Sequence, residues 1–297
     1  MATKFNGTVT VPFGGELIAP FVLWWVHFIL LGIDLDLPKN EKLRKAARSI
    51  MDIKVGTYVR SRIAGLPGLL NRLKSSERGV NEELLLKAYT EVLANVAGDV
   101  VAETGDGRLA AETFLGIIAV AGNLGGVNLL AAGLAFLPKA ASAVERHNEG
   151  DDSPLTAYIL ECARIFPPVN QINVLNTEPL SKTIGKNKQA RELVFPPGTP
   201  IAANILGASY DPRYFPCPAE FDLNRPNTSM TINFATVGLA NGTITPALDS
   251  NGCPYARDPA RAAERACPGR FLAIDMVKEV LCAYYDIKRK KGGVPHP

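Results

Sequence analysis

The pair Pro167-Pro168 constrains this chain more than any other feature, because it ends a helical pattern and no long helical pattern resumes before about Asn251. The stretch before it, DDSPLTAYILECARIF, has capping residues and helical spacing, and proline cannot continue a helix because it lacks an N–H and clashes with the preceding turn. After it, short apolar runs such as ELVF and IAANIL lie between PPGTP, DPRYFPCP and NRPN, which predicts small strands and turns. The chain reads as one domain, 1–297. Residues 1–140 are helical, and 141–297 hold the ECAR helix, small strands, a cysteine loop and a last helix from Arg270 to Lys288.

In the first part, Glu41 to Arg60 is charged and periodic, and Val80 to Gly105 reads as a helix capped by Asn81 with Glu82-Glu83 in its first turn. A longer helix is predicted from near Asp106 to Pro138, buried on most sides because it is almost uncharged after Glu112. Gly116, Gly122, Gly125 and Gly126 interrupt it, each unfavourable by ~1 kcal/mol against Ala. Close approach of a ligand or a neighbouring helix would account for them. The apolar run Leu17 to Ile33 contains Pro20 and His27 and is shorter than the ~20 residues of a span, so it reads as a buried or surface-dipping internal helix.

Composition narrows the function classes. With 297 residues, 47% hydrophobic and 21% charged, the chain is globular, and a net charge of +3 leaves no electrostatic footprint for nucleic acid. No secretory signal pattern is present, so the chain reads as intracellular, either cytoplasmic or peripherally membrane-associated. Its 5 cysteines form neither a disulfide framework nor a CxxC pair. His27, His147 and His296 have no metal-ligand spacing.

Three segments carry chemistry. Glu161 and Arg164 in ECAR lie one turn apart and can pair across one helix face. Arg225 in PAEFDLNRP can join them from an extended segment. In ERACPGRFLAID, Cys267 precedes Pro268-Gly269 and a helix start near Arg270, a setting in which N–H groups and the helix dipole stabilise a thiolate. Such a thiolate suits a haem iron. Cys253 is the one rival, since Cys162 and Cys282 read as small buried thiols and Cys217 sits in a turn with no helix start behind it.

In this order, ExxR at Glu161 to Arg164, the FDxxR-type segment ending in Arg225 and RACPGR around Cys267 resemble the carboxyl half of a cytochrome P-450. The resemblance covers roughly residues 80 to 290 and implies a mainly α fold with small β-sheets, lacking much of the amino-terminal part. It implies haem b with Cys267 as axial ligand, Arg265 facing a propionate, Gly269 and Gly122 beside the cofactor, and Glu161, Arg164 and Arg225 as a structural triad. Ala260 and Ala263 stand where the family's loop has Phe and Gly.

The central helix departs from the monooxygenase pattern. Ala121-Gly122 is followed by Asn123, Leu124, Gly125 and Gly126 with no threonine, so the usual proton relay to bound oxygen lacks its hydroxyl. An Asn near a Gly-Gly pair is similar to the allene oxide synthase and hydroperoxide lyase branch, as are WWVHFILLGIDLDLP, LLKAYTEVLANVAGDVVAE and GASYDPRYFPCPAEFDLNRP. The branch implies rearrangement or cleavage of a fatty-acid-type hydroperoxide without external reductant, with Asn123 orienting the substrate. Asn128 is the other amide nearby. The alternatives are a monooxygenase or peroxygenase of secondary metabolism, and a haem-binding or interaction protein without turnover. An apolar substrate is implied throughout. An exposed apolar face near Leu17 would favour peripheral membrane contact, a homo-oligomer or a completing partner.

Overall fold

The computed structural model describes residues 14–51, 77–96, 106–118, 122, 125–184, 191–225, 239–240, 243–244, 267 and 269–291. In chain order these contain helices α1 (Gly14–Leu31), α2 (Glu41–Met51), α3 (Glu77–Val96), α4 (Gly107–Ile117), α5 (Gly126–Ala135), α6 (Ala141–Asn148) and α7 (Ser153–Ile165). Strands β1 (Gln171–Leu175), β2 (Leu180–Ile184), β3 (Arg191–Phe195) and β4 (Pro200–Asn204) come next, then α8 (Ile205–Ser209), β5 (Leu239–Ala240), β6 (Thr243–Ile244) and α9 (Arg270–Lys290). Two compact units result, one of Met1–Ile159 with Pro268–Pro297, the other of Leu160–Cys267.

In the first unit α1 carries apolar side chains on both its buried and its exposed face. Ile18, Val22, Leu23, Val26 and His27 are buried, whereas Leu17, Phe28, Ile29 and Leu30 are exposed. No helix among the described residues is long and apolar enough to cross a membrane. Gly32, at φ +64°, turns the chain out of α1, with its N–H on the Phe28 carbonyl at 2.9 Å. The indole of Trp24 then holds the following turn by donating to Asp34 Oδ1 at 2.9 Å.

His27 bridges α1 to α3 inside the core. Its Nδ1 lies 2.7 Å from the Leu23 carbonyl, which only accepts, so Nδ1 carries the proton. Nε2 is therefore an acceptor, and the buried Tyr89 hydroxyl donates to it at 2.6 Å. Burial drives the His27 pKa down to about 4, only partly opposed by the bond to Leu23.

The Asn81 cap expected for the next helix is corrected: α3 begins at Glu77, a turn earlier, and Asn81 lies inside it. Glu83, expected at the helix start, instead takes a bidentate pair from Arg108 at 2.9 Å, which joins α3 to α4. Asp106 caps α4 by accepting from the Arg108 N–H at 2.8 Å.

The helix expected from Asp106 to Pro138 is described in two α-helical pieces, Gly107–Ile117 and Gly126–Ala135, and Ile118, Gly122 and Gly125 between them take wider π-type turns; 119–121 and 123–124 lie outside the described residues. Neighbouring helices explain part of its glycine content. A Cβ on Gly122 would stand 3.1 Å from Val26 of α1, on Gly126 2.9 Å from Val22, and on Gly133 2.8 Å from Val277 of α9. Around Gly116 and Gly125 no described atom lies within 4 Å of that point. α9 is held further by the Tyr285 hydroxyl donating to the Leu137 carbonyl and by an ion pair of Lys278 with Asp152, whose carboxylate also meets His147 Nδ1 at 2.7 Å.

The second unit contains the short strands that follow Pro167-Pro168. β1 pairs antiparallel with β4 from Gln171↔Asn204 to Leu175↔Pro200, β2 with β3 from Leu180↔Phe195 to Ile184↔Arg191, and β5 with β6. PPGTP turns into β4 through Gly198 at φ +81°, whose N–H donates to the Asn176 carbonyl at 2.8 Å. β4 ends at Asn204, which caps α8 by accepting from the Gly207 N–H at 2.8 Å.

Two outcomes follow from this packing. The unfolded His27 takes up a proton below its ordinary value of 6.5 and the folded one only below about 4, so stability is lost as pH falls through that window. Denaturant titrations at pH 7 and pH 4 should show a loss from this site on the order of 3 kcal/mol, absent in the His27→Leu/Tyr89→Phe double variant. Gly133→Ala should destabilise by about 1–3 kcal/mol by pushing on Val277, whereas Gly116→Ala should stabilise by up to about 1 kcal/mol, both read from thermal unfolding.

Candidate functional site

α7 supplies the first part of the site. Glu161 and Arg164 are both fully buried and form a two-pronged pair, Nη2 to Oε1 at 2.7 Å and Nε to Oε2 at 2.8 Å. Such a pair on one helix turn follows from the i, i+3 spacing read in ECAR. Arg225 reaches the same carboxylate, its Nε lying 3.1 Å from Oε1 and 3.2 Å from Oε2. The three residues expected as a triad are therefore brought together.

Two guanidiniums and one carboxylate leave a buried excess of one positive charge, and the backbone between Ser209 and Glu220 meets it. Arg164 donates to the carbonyls of Ser209 at 3.0 Å, Pro218 at 2.8 Å and Glu220 at 3.1 Å. With the two bonds to Glu161, all five of its donors are matched. Arg225 donates to the carbonyls of Pro216, of Cys217 at 3.4 Å and of Glu220 at 3.0 Å. Glu161 Oε1 also accepts from the Asp222 N–H at 3.1 Å.

Phe215 and Tyr210 cover the Arg164 guanidinium, with ring centroids at 5.4 and 5.9 Å from its central carbon. Burial pushes the Tyr210 phenol pKa up, and its hydroxyl donates to the Ile165 carbonyl at 3.1 Å. Cys217 takes φ +47°, a left-handed conformation unusual for a residue with a side chain, while its carbonyl accepts from Arg225 and from the Glu220 N–H. These carbonyl acceptors and aromatic covers were not read from the sequence. Only the spacing of prolines and aromatics in SYDPRYFPCP hinted at them.

Cys267 is half-buried, in no disulfide, and three residues ahead of α9 in the chain. α9 starts with Gly269 as its N-cap, no side chain caps it, and the first helical bond runs from the Ala273 N–H to the Gly269 carbonyl at 2.9 Å. Around Gly269 no described atom lies within 4 Å of where a Cβ would stand. The other described cysteines stand in different surroundings. Cys162 is sealed inside α7, burial pushes the Cys282 thiol pKa up, and Cys217 is exposed in the turn held by Arg225. A cysteine sulfur at a helix start is a ligand type that a haem iron takes, so Cys267 would fit that group.

The side of Gly122 that a Cβ would occupy faces Val26 of α1, and Gly269 is the N-cap of α9. Asn123, Arg265 and Cys253 lie outside the described residues.

No family model matches the chain, and none of the curated proteins compared with it matches. Solved structures do. Cytochrome P450 CREJ shares 12% identity at a TM-score of 0.53, over 92% of this chain and 59% of that one. A structure described among unusual cytochrome P450-like monooxygenases involved in microbial secondary metabolism shares 17% identity at a TM-score of 0.50, over 92% and 61%. Mycobacterium marinum cytochrome P450 CYP150A6 shares 18% at 0.48, over 91% and 53%. The chain has the cytochrome P450 fold and spans between 53% and 61% of the length of these three chains.

The buried triad should dominate the stability of its unit. Glu161→Gln leaves two buried guanidiniums with no counter-charge and is expected to destabilise by about 3–5 kcal/mol in denaturant titrations. Arg213→Ala, which removes an exposed pair with Asp211, should leave the melting temperature unchanged.

Proposed function

We propose that this chain is a haem-thiolate enzyme that rearranges or cleaves an organic hydroperoxide of fatty-acid type without an external reductant. The observation that carries the haem reading is the half-buried Cys267, three residues ahead of the start of α9, in the same P450 fold as the Glu161, Arg164 and Arg225 network. Haem held by the Cys267 sulfur would supply a redox-active iron made electron-rich by the thiolate, which favours O–O bond cleavage.

The chain's own residues take the remaining roles. Cys267 provides the sulfur, and Arg265, two residues before it, offers a guanidinium for a haem carboxylate. Asn123 offers an amide that both donates and accepts, suited to orienting a hydroperoxide. The hydroperoxide reading rests on AGNLGG at 121–126, which holds that amide and no threonine to relay protons. The substrate already carries the oxygen oxidation level, so no reductase is required.

A second reading, a monooxygenase of secondary metabolism, is favoured by the description of the structural relative matched at a TM-score of 0.50. The two readings differ in their need for NAD(P)H and a reductase.

The purified chain loaded with hemin should give a thiolate-type spectrum in the ferric and in the ferrous carbon monoxide forms. Cys267→Ala should abolish that spectrum and Cys282→Ala should keep it. Retention in Cys267→Ala would move the ligand elsewhere. Adding a polyunsaturated fatty-acid hydroperoxide alone should bleach its conjugated-diene absorbance. Asn123→Leu should leave the haem spectrum unchanged and slow bleaching by about fivefold to tenfold, the worth of one hydrogen bond. Product formation only with NAD(P)H and a reductase would establish the second reading instead.

A further inference from the structure

Within the first unit, α1, α5 and α9 enclose a trough of about 520 Å³ that the haem-thiolate reading does not use. Its floor is a stripe on α9, Val280, Ala283, Tyr284 and Ile287, and its walls include Phe21 of α1 and Leu134 of α5. The α9 lining continues to Lys291, so it runs about 16 Å at the helical rise per residue. Large apolar side chains lie open at the trough, with Leu17 65% and Ile287 55% exposed.

The i, i+3, i+4, i+7 spacing of that stripe is the pattern of a helix face that meets another helix. An acyl chain alone would need most of its surface enclosed, and this trough is open along its side, whereas a helix needs only one face covered. Charge narrows the occupant. Among the described residues, Lys288 and Lys291 line the trough at the carboxyl end of α9, no acidic residue lines it, and neither lysine pairs with a carboxylate, Lys288 lying 5.6 Å from the centroid of the Tyr284 ring.

We propose that this trough is a docking site for an amphipathic helix of another polypeptide, with an apolar stripe flanked by carboxylates that meet Lys288 and Lys291. Two helices laid along the stripe bury apolar side chains from both, and the carboxylates set the orientation and exclude basic helices.

The test uses the full chain and two synthetic helical peptides of about 18 residues, long enough to fold when bound. They share one Leu/Ala stripe, flanked by Glu in one and by Lys in the other. Fluorescence anisotropy should show the Glu-flanked peptide binding at least about tenfold tighter, with the difference shrinking in high salt. Lys288→Glu/Lys291→Glu should reverse the preference, and Ala283→Arg should remove binding of both peptides without changing the far-ultraviolet circular dichroism. Equal binding of the two peptides, or a charge-reversed variant with unchanged preference, would overturn the proposal. Displacement of the Glu-flanked peptide by oleate or by anionic vesicles at lower concentration would overturn it in favour of a lipid groove.

Discussion

The Glu161 carboxylate is the constraint around which the second unit is arranged. Buried carboxylates and guanidiniums are tolerated only when every donor and lone pair is matched, because the desolvation of each ion amounts to several kcal/mol. Glu161 takes both guanidiniums and one backbone N–H, and the remaining guanidinium donors can be satisfied only by carbonyls. The turn-rich segment from Ser209 to Glu220 supplies them, which is why a stretch with no long helix or strand still adopts one conformation. Even Cys217, held in the left-handed region, has its carbonyl engaged by Arg225.

In the first unit the organising device is different: backbones come close because side chains are missing. Gly122, Gly126 and Gly133 admit the Val side chains of α1 and α9 into space that a Cβ would fill. Interiors packed this tightly respond to a single methyl group. The His27–Tyr89 bond adds direction to that contact, since a buried donor and acceptor are satisfied in only one register of α1 on α3.

The legible parts of the site were those whose geometry is local. Glu161 and Arg164 lie one helical turn apart, so their pairing needs nothing beyond α7. The loop-to-helix step after Cys267 was legible because Pro268-Gly269 and the periodicity from Arg270 mark a helix start. Expectations failed where two local signals competed. Asn81 followed by Glu82-Glu83 has the form of a helix start, yet the helix begins at Glu77 and Glu83 is used by Arg108 of α4. In the glycine-rich segment after Ile117 the described residues Ile118, Gly122 and Gly125 take π-type turns, which hydrophobic periodicity does not distinguish from α-helix.

By itself the sequence determined the helical first half, the halt at Pro167-Pro168, the short strands beyond it and the identity of the charged and thiol groups. Spacing and backbone chemistry act over a few residues, and they leave little choice there. Only the tertiary structure decided which carbonyls neutralise Arg164 and Arg225, which glycines face a helix and which face open space, and that α1, α5 and α9 leave an apolar trough edged by lysines. Those outcomes depend on contacts between segments far apart in the chain. Such contacts are selected by burial and by the matching of polar groups, which no local pattern encodes.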